Sequence, residues 1–205
     1  MPKITNNQSI SVRKPSLSQI NWLLAGLIIL VNLYIITMPF LPALQFWIDE
    51  QVNKNTETQL AEEVKTDKPK TYKTNTIIIP RLRMTETIFE GPDISAANKG
   101  IWRRPNSSTP AKDSNTVLVG HRFTYTDPRG VFYHLDKIKV GDELAVFWEQ
   151  KRFVYQVDTV KTVPATESSV EAASGDSLLT LYTCTPLWSA KDRLVVTAKL
   201  TERPR

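Results

Sequence analysis

From Trp22 to Met38 the chain reads WLLAGLIILVNLYIITM, without a charge and with Asn32 as its one strongly polar residue. Extended back to Ile20, the run approaches the ~20 residues that cross a hydrocarbon core of about 30 Å. Nothing polar recurs to mark a solvent face, which argues against the core helix of a soluble domain. The apolar stretch resumes after Pro39 as FLPALQFWI and stops at Asp49 and Glu50. Pro39 and Pro42 are expected to end the regular helix, because proline lacks an amide proton and clashes with the preceding turn. Phe40, Phe46 and Trp47 would then sit at the membrane interface, where aromatic rings are favoured. A cleaved leader has an apolar region of about 7–15 residues followed by a small-x-small site. The stretch here is longer, and its exit MPFLPALQFW offers no such pair. The pattern predicts a cytoplasmic segment over 1–19 and an uncleaved signal anchor over 20–48.

The polar pattern changes twice beyond the anchor. Residues 49–75, DEQVNKNTETQLAEEVKTDKPKTYKTN, alternate charges with Gln, Asn and Thr. They read as a solvated extracellular stalk, with a helical turn near Thr58–Val64. From residue 76 onward, short β-branched or aromatic runs recur between turn residues, several alternating with period two. These runs are Thr76–Ile79, Met84–Phe89, Thr116–Val119, Glu143–Trp148, Arg152–Val163, Leu178–Thr183 and Arg193–Leu200. Turn signals separate them at Gly91-Pro92, Asp127-Pro128-Arg129-Gly130, Gly141-Asp142 and Gly175-Asp176. Helical patterns are confined to Val131–Lys139 and Thr166–Ala173. Seven or eight short strands without long alternating helices predict an all-β domain over 76–205, a closed barrel or sandwich. About 130 residues suffice for one core and not for two.

Composition narrows the function classes. The formal charge is +5, but it is spread: the first 21 residues hold Lys3, Arg13 and Lys14 with no acid, and residues 49–75 hold five Lys against six acids. No segment is basic enough for nucleic-acid binding. The basic flank before the apolar run and the acids after it place the N-terminus in the cytoplasm and everything past residue 48 outside. A single cysteine, Cys184, excludes a disulfide framework or a cysteine-cluster metal site. Two histidines, His121 and His134, leave little for a zinc or iron centre, so neither metal nor cofactor is expected.

The candidate chemistry lies at strand ends. Cys184 closes the run Leu178-Leu-Thr-Leu-Tyr-Thr183, His121 follows Thr116-Val-Leu-Val-Gly120, and Arg193 opens the last run. A strand end is a rigid platform that presents a side chain into a groove. Thiolate attack on a carbonyl, imidazole protonation of a leaving amine and a fixed charge for the oxyanion need these three residue types. Each has a plainer reading. An isolated cysteine is more often a small buried hydrophobe, His121 a core histidine satisfied by a carbonyl, and Arg193 a surface base. His134, in Phe132-Tyr-His-Leu-Asp-Lys-Ile, reads as capping or covering a helix face.

Taken together the residues resemble a known family. Thr180-Leu-Tyr-Thr-Cys184-Thr-Pro is similar to the TLxTC signature of sortases, the membrane-anchored cysteine transpeptidases of bacterial surfaces. Asn115-Thr-Val-Leu-Val-Gly-His-Arg122 resembles the segment carrying the sortase histidine, FYHLDKIKVGDE (132–143) the stretch that follows it, and Arg193-Leu-Val-Val the strand of the essential arginine. These matches keep family order over roughly residues 76–200. The resemblance implies a closed eight-stranded sortase barrel with Cys184, His121 and Arg193 as catalytic residues and no cofactor. It implies cleavage of an LPxTG-type sorting signal between Thr and Gly through a Cys184 thioacyl intermediate. The partners would be sorting-signal-bearing surface proteins and an amine acceptor, such as a cell-wall precursor or a pilin lysine. Thr183 is expected to donate a further hydrogen bond to the intermediate, and Trp188 to line the acceptor side of the groove; their plainer roles are strand filling and packing.

Pilin-polymerising class C sortases carry an Asp-Pro-aromatic lid and often a second, C-terminal transmembrane helix. Residues 49–75 hold no such tripeptide and the chain ends Thr-Glu-Arg-Pro-Arg, so the expectation is an unlidded enzyme nearer class D or E. Two other readings share the sequence: an inactive membrane-anchored binding barrel, and a hydrolase releasing the cleaved protein to water. An intact Cys, His and Arg argues against the first.

Overall fold

The computed structural model describes residues 16–66, 70–125 and 130–204. Lys3, Arg13 and Lys14, and the turn residues Asp127, Pro128 and Arg129, lie outside the described residues. The chain divides into two compact units, Met1–Met38 and Pro39–Arg205.

Helix α1 of the first unit spans Leu17–Thr37 and buries none of its side chains. Ser16 caps it in a reciprocal box: its hydroxyl accepts from the Gln19 amide while Gln19 Oε1 accepts from the Ser16 amide at 2.9 Å. At 1.5 Å per residue the 21 residues extend about 31 Å, enough to span a bilayer core. Two polar side chains in its C-terminal half bond back to the helix, as lipid favours. Asn32 Nδ2 donates to the Ile28 carbonyl at 2.8 Å, and Thr37 Oγ1 to Leu33 at 2.8 Å.

The regular α-helix ends at Thr37, just before Pro39 as expected, but helical structure then resumes. A 3₁₀ turn, Met38–Phe40, leads into α2, Leu41–Val52, with Pro42 in the first turn, where its missing amide proton has no intrahelical partner to lose. Among the described residues of 49–75, much is helical and packed, where a solvated stalk was expected. They include the end of α2 and helix α3, Thr56–Lys65. Val64 is fully buried in a cluster with Ile78, Ala145, Phe147 and Val154, flanked by Leu60 and Tyr72. Leu60 and Val64 stand four residues apart, a narrow apolar stripe on a charged helix, and that stripe is what docks it.

Eight strands close a barrel: β1 Thr76–Ile79, β2 Met84–Phe89, β3 Ile101–Arg103, β4 Asn115–Val119, β5 Glu143–Trp148, β6 Lys151–Pro164, β7 Leu178–Thr185 and β8 Asp192–Glu202. Around the barrel the order is β1-β2-β3-β4-β7-β8-β6-β5. The β2–β3 and β4–β7 pairs are parallel and the others antiparallel. Alternate residues of each strand fill the interior, among them Ile77, Leu118, Leu179, Leu181 and Val196. Register shifts against β8 at Val154/Tyr155 and Val157/Thr159 bend β6, whose other edge pairs with β5 from Lys151 to Gln156. Both expected helices shorten to 3₁₀ turns, Leu135–Lys137 and Ser168–Glu171. Paired serines at 168 and 169 suit the second, since their hydroxyls compete for backbone bonds.

Candidate active site

The parallel β4–β7 register pairs Val117 with Thr180 and Val119 with Tyr182. Carried two residues past the end of β4, it brings His121 level with Cys184. Two contacts hold the chains together over that extension: the Gly120 amide donates to the Tyr182 carbonyl at 3.4 Å, and Thr183 Oγ1 to the Gly120 carbonyl at 2.8 Å. On the other side of β7, Cys184 stands directly opposite Arg193 in the antiparallel pair with β8. The three sequence-predicted catalytic residues thus share one cross-strand row, with the cysteine in the middle. Neighbouring strands lie about 4.8 Å apart, so His121 and Arg193 flank Cys184 on its two sides in the row.

Alternation fixes which way the row faces. Leu179, Leu181, Leu194 and Val196 belong to the interior core, so Cys184 and Arg193, offset by an odd number of residues, face outward. His121 shares its face with Val117 and Val119, whose side chains pack outside the barrel with Trp102, Ala96 and Ala97. The site therefore lies on the outer wall, where the strands end. The same parity corrects the reading of Thr183. Its side chain points inward, only 1% exposed, and its hydroxyl donates to Gly120, so it braces β7 against the end of β4.

The surroundings hold each member in place. The Arg193 Nη1 donates to the Ala190 and Asp192 carbonyls, each at 2.9 Å, which fixes the guanidinium against its own loop. His121 Nε2 lies 3.1 Å from Asn98 Oδ1, at the end of the 3₁₀ turn Ile94–Asn98. With Oδ1 accepting, the ring donates from Nε2 and leaves Nδ1 as its acceptor. Arg122 Nη1 donates to Thr185 Oγ1 at 2.8 Å and Nη2 pairs with Asp136 at 3.4 Å, tying the histidine segment to the strand just past Cys184. One row back, the Tyr182 hydroxyl donates to Glu171, which also pairs with Arg104 at 3.0 Å. Burial, with the Glu171 carboxylate beside it, pushes the Tyr182 phenol well above its usual range. Sequence reasoning missed Asn98, Arg122, Tyr182 and Glu171. Arg122 and Tyr182 each flank a candidate by one or two positions, but Asn98 and Glu171 reach the site from distant turns.

A cavity of about 640 Å³ adjoins the row on its histidine side, lined in part by Met84, Asn98, Lys99, His121, Val131 and His134. That volume accommodates a few peptide residues. Among the described residues, Cys184 and Arg193 do not line it, so the row stands at its margin. Both histidines touch the cavity, and register separates them. His134 is not on a helix face: it caps the Leu135–Lys137 turn, and its Nε2 donates to the Pro42 carbonyl at 3.2 Å. Its ring packs tilted against Phe46 at 4.3 Å between centroids, and burial lowers its pKa, partly offset by the Pro42 hydrogen bond. Trp188, 61% exposed in the loop after Cys184, lies 6.2 Å from the Phe40 ring rather than in the cavity wall.

A sortase-domain family model matches residues 77–201, the barrel with its site. This chain belongs to the sortase family. It is 34% identical over 105 residues to sortase E1 of Streptomyces coelicolor, covering 46% of this chain and 29% of that protein. It is 29% identical over 121 residues to sortase D of Bacillus subtilis, covering 58% of each. This sortase thus spans less than two thirds of either relative. The solved structure of sortase E1, with a tripeptide in its active site, superposes with a TM-score of 0.56 at 25% identity, covering 64% of this chain and 89% of that one. Sortase C-1 of Actinomyces oris gives 0.58 at 27% identity, covering 62% and 73%. The barrel is thus common to several sortase classes, while these two sequence relatives are of types E and D.

Proposed function

We propose that this sortase is a membrane-anchored cysteine transpeptidase in which Cys184, His121 and Arg193 cleave an LPxTG-type sorting signal and transfer its acyl part to an amine. The observation that carries the reading is the shared row, in which an outward-facing thiol lies between an imidazole and a guanidinium. The Cys184 thiolate attacks the Thr carbonyl carbon, and the electron pair moves to the oxygen, facing Arg193. Collapse of that intermediate breaks the Thr–Gly carbon–nitrogen bond, and His121 delivers the proton to the leaving glycine amine. An incoming amine then attacks the thioester, gives its proton to His121 and expels the thiolate. The cavity beside His121 has the size for residues of the sorting signal, and the solved relative's tripeptide supports a peptide-binding groove. The acceptor would be a cell-wall precursor or a pilin lysine.

Residues 20–48 would anchor the enzyme as a single pass, with the N-terminus cytoplasmic and the barrel of residues 76–205 outside; the apolar α1 and its basic flank support this. The relatives of types E and D support an enzyme nearer those classes. The test is incubation of the membrane-reconstituted chain with LPxTG-type peptides and candidate amines, followed by mass spectrometry. A thioacyl adduct on Cys184 that is consumed by added amine is the expected result. An adduct discharged by water alone would identify a hydrolase, and no adduct would refute the reading.

A further inference from the structure

Helix α2 is built the reverse of an ordinary surface helix. Soluble helices turn an apolar stripe to the core and polar residues to water. Here the side facing the barrel carries Pro42, Phe46, Asp49 and Asn53, spaced four, three and four residues apart. Pro42 is buried, Asp49 pairs with Arg83 at 3.0 Å, and the Asn53 carbonyl accepts from the same guanidinium at 3.0 Å. Phe46, expected outward, is turned inward, with its ring on His134 and Lys137 4.6 Å from its centre. The opposite side carries Leu41, Leu44, Trp47, Ile48 and Val52, which are 38%, 53%, 58%, 46% and 72% exposed. At 100° per residue these five fall on one arc, roughly opposite the docked positions. Phe40 continues the arc and touches Trp188, so two further exposed aromatic rings join it, 57% and 61% exposed.

Sequence continuity says what covers this face. The spanning helix α1 ends at Thr37 and α2 starts at Leu41, so the chain between them reaches at most about 14 Å. An apolar face that close along the chain to a membrane exit meets lipid before any other apolar surface. Tryptophan and phenylalanine are favoured at that depth.

We infer that α2 is an interfacial helix. Its outer face, with Phe40 and Trp188, enters the headgroup–acyl boundary of the outer leaflet, while its inner face clamps the barrel through Arg83, His134 and Phe46. The inference rests on the anchored reading above and deepens it. The loop between β7 and β8, which follows Cys184 directly and carries Trp188, is thereby held against the membrane, so the site works on substrates and acceptors at the bilayer surface.

The experiment uses the full chain carrying Cys184→Ala, with one new cysteine at a time for a nitroxide label: Leu30→Cys, Leu44→Cys, Ile48→Cys or Glu50→Cys. All four positions are exposed, so labels leave packing intact. The protein is reconstituted in vesicles of phosphatidylcholine and phosphatidylglycerol, and spin relaxation by oxygen and by a water-soluble nickel chelate is compared. Expected is a several-fold higher oxygen-to-nickel ratio at 44 and 48 than at 50, with depths about 5–10 Å below the headgroups. Water-exposed labels at 44 and 48 with a lipid-embedded label at 30 would overturn the inference while leaving the anchor standing. A water-exposed label at 30 would remove the anchor itself. Dipolar broadening between labels at 48, abolished by dilution with unlabelled protein, would assign the face to a second copy and also overturn it.

Discussion

Cys184 and Arg193 face each other directly across the β7–β8 pair, on the outer face of the barrel. They are nine residues apart in sequence, and the hairpin between them closes back so that thiol and guanidinium share a row with no long-range packing needed to align them. His121 enters the same row from β4, a strand far away in sequence but adjacent in the barrel. The first pair is set by local chain geometry and the third member by topology, which makes the Cys–His relation the part most exposed to changes in barrel packing.

Replacing Cys184 by Ala should abolish thioacyl formation while leaving the fold intact, because the half-buried thiol contributes little core volume. Mass spectrometry after incubation with LPxTG-type peptides reads the adduct, and circular dichroism the fold. Cys184→Ser should be nearly inert as well, because a hydroxyl needs stronger activation than an imidazole without a carboxylate behind it supplies, and Asn98 is the neighbour His121 has.

Arg193→Ala should lower kcat/KM by about 10²–10³-fold, the usual effect of removing one oxyanion donor. Arg193→Lys should not restore it, since lysine lacks the planar fork that holds the Ala190 and Asp192 carbonyls through Nη1 and leaves the other nitrogens free. A lysine variant within threefold of wild type would show that charge alone suffices, contrary to this placement.

His121→Ala should reduce turnover by about 10²–10⁴-fold, the range for general acid–base catalysis. His134→Ala should change turnover by far less than that, because its ring is committed to Pro42 and Phe46 and stands outside the Cys184 row, while weakening the docking of α2. Equal losses of activity in two folded variants would overturn the assignment.

Much of this was legible in the chain. Seven of the eight strands show as β-branched runs, and their ends pointed to Cys184, His121 and Arg193, which the register brings into one row. Strand β3 escaped because Ile101-Trp-Arg is too short to show a period, and it is held by parallel pairing with β2 and antiparallel pairing with β4. Helix α3 showed only as a helical turn near Thr58–Val64, because an apolar stripe of Leu60 and Val64 is diluted by charges, and its docking on the barrel was not foreseen. The inward turn of Thr183 required the parity of β7 against its core neighbours, which becomes readable once Leu179 and Leu181 are known to point inside. Asn98 could not be found from sequence, since nothing local links it to His121.

Thr183→Val tests that parity. The substitution removes the hydroxyl that donates to the Gly120 carbonyl in a buried setting and keeps the β-branched shape. Leaving that acceptor unpaired should cost about 1–3 kcal/mol, read as a lower midpoint in urea. Activity per folded molecule should stay close to wild type. A large fall in kcat with unchanged stability would return the hydroxyl to the reaction.

The docking of α2 should depend on pH through His134. Burial disfavours its charged form and outweighs the Pro42 hydrogen bond, so its folded pKa lies below the ordinary 6.5. Among the charges facing it, Lys137 and Arg122 oppose protonation and Asp136 favours it. The folded state then binds fewer protons than the unfolded one between the two pKa values, so stability rises with pH through that window. The contribution is fully present above about pH 6.5 and is lost as pH falls towards the folded pKa. The Asp49–Arg83 pair cannot cause a loss in this range. Asn53 and Arg83 hold the Asp49 pKa below the usual 3.8, so its contribution persists until far more acidic solution. Hydrogen exchange of the α2 amides should therefore accelerate, after correction for intrinsic rates, between pH 7 and pH 5 in wild type. The acceleration should vanish in His134→Gln, which keeps a donor for Pro42 without a titrating ring. Equal pH dependence in both proteins would assign the effect to another group.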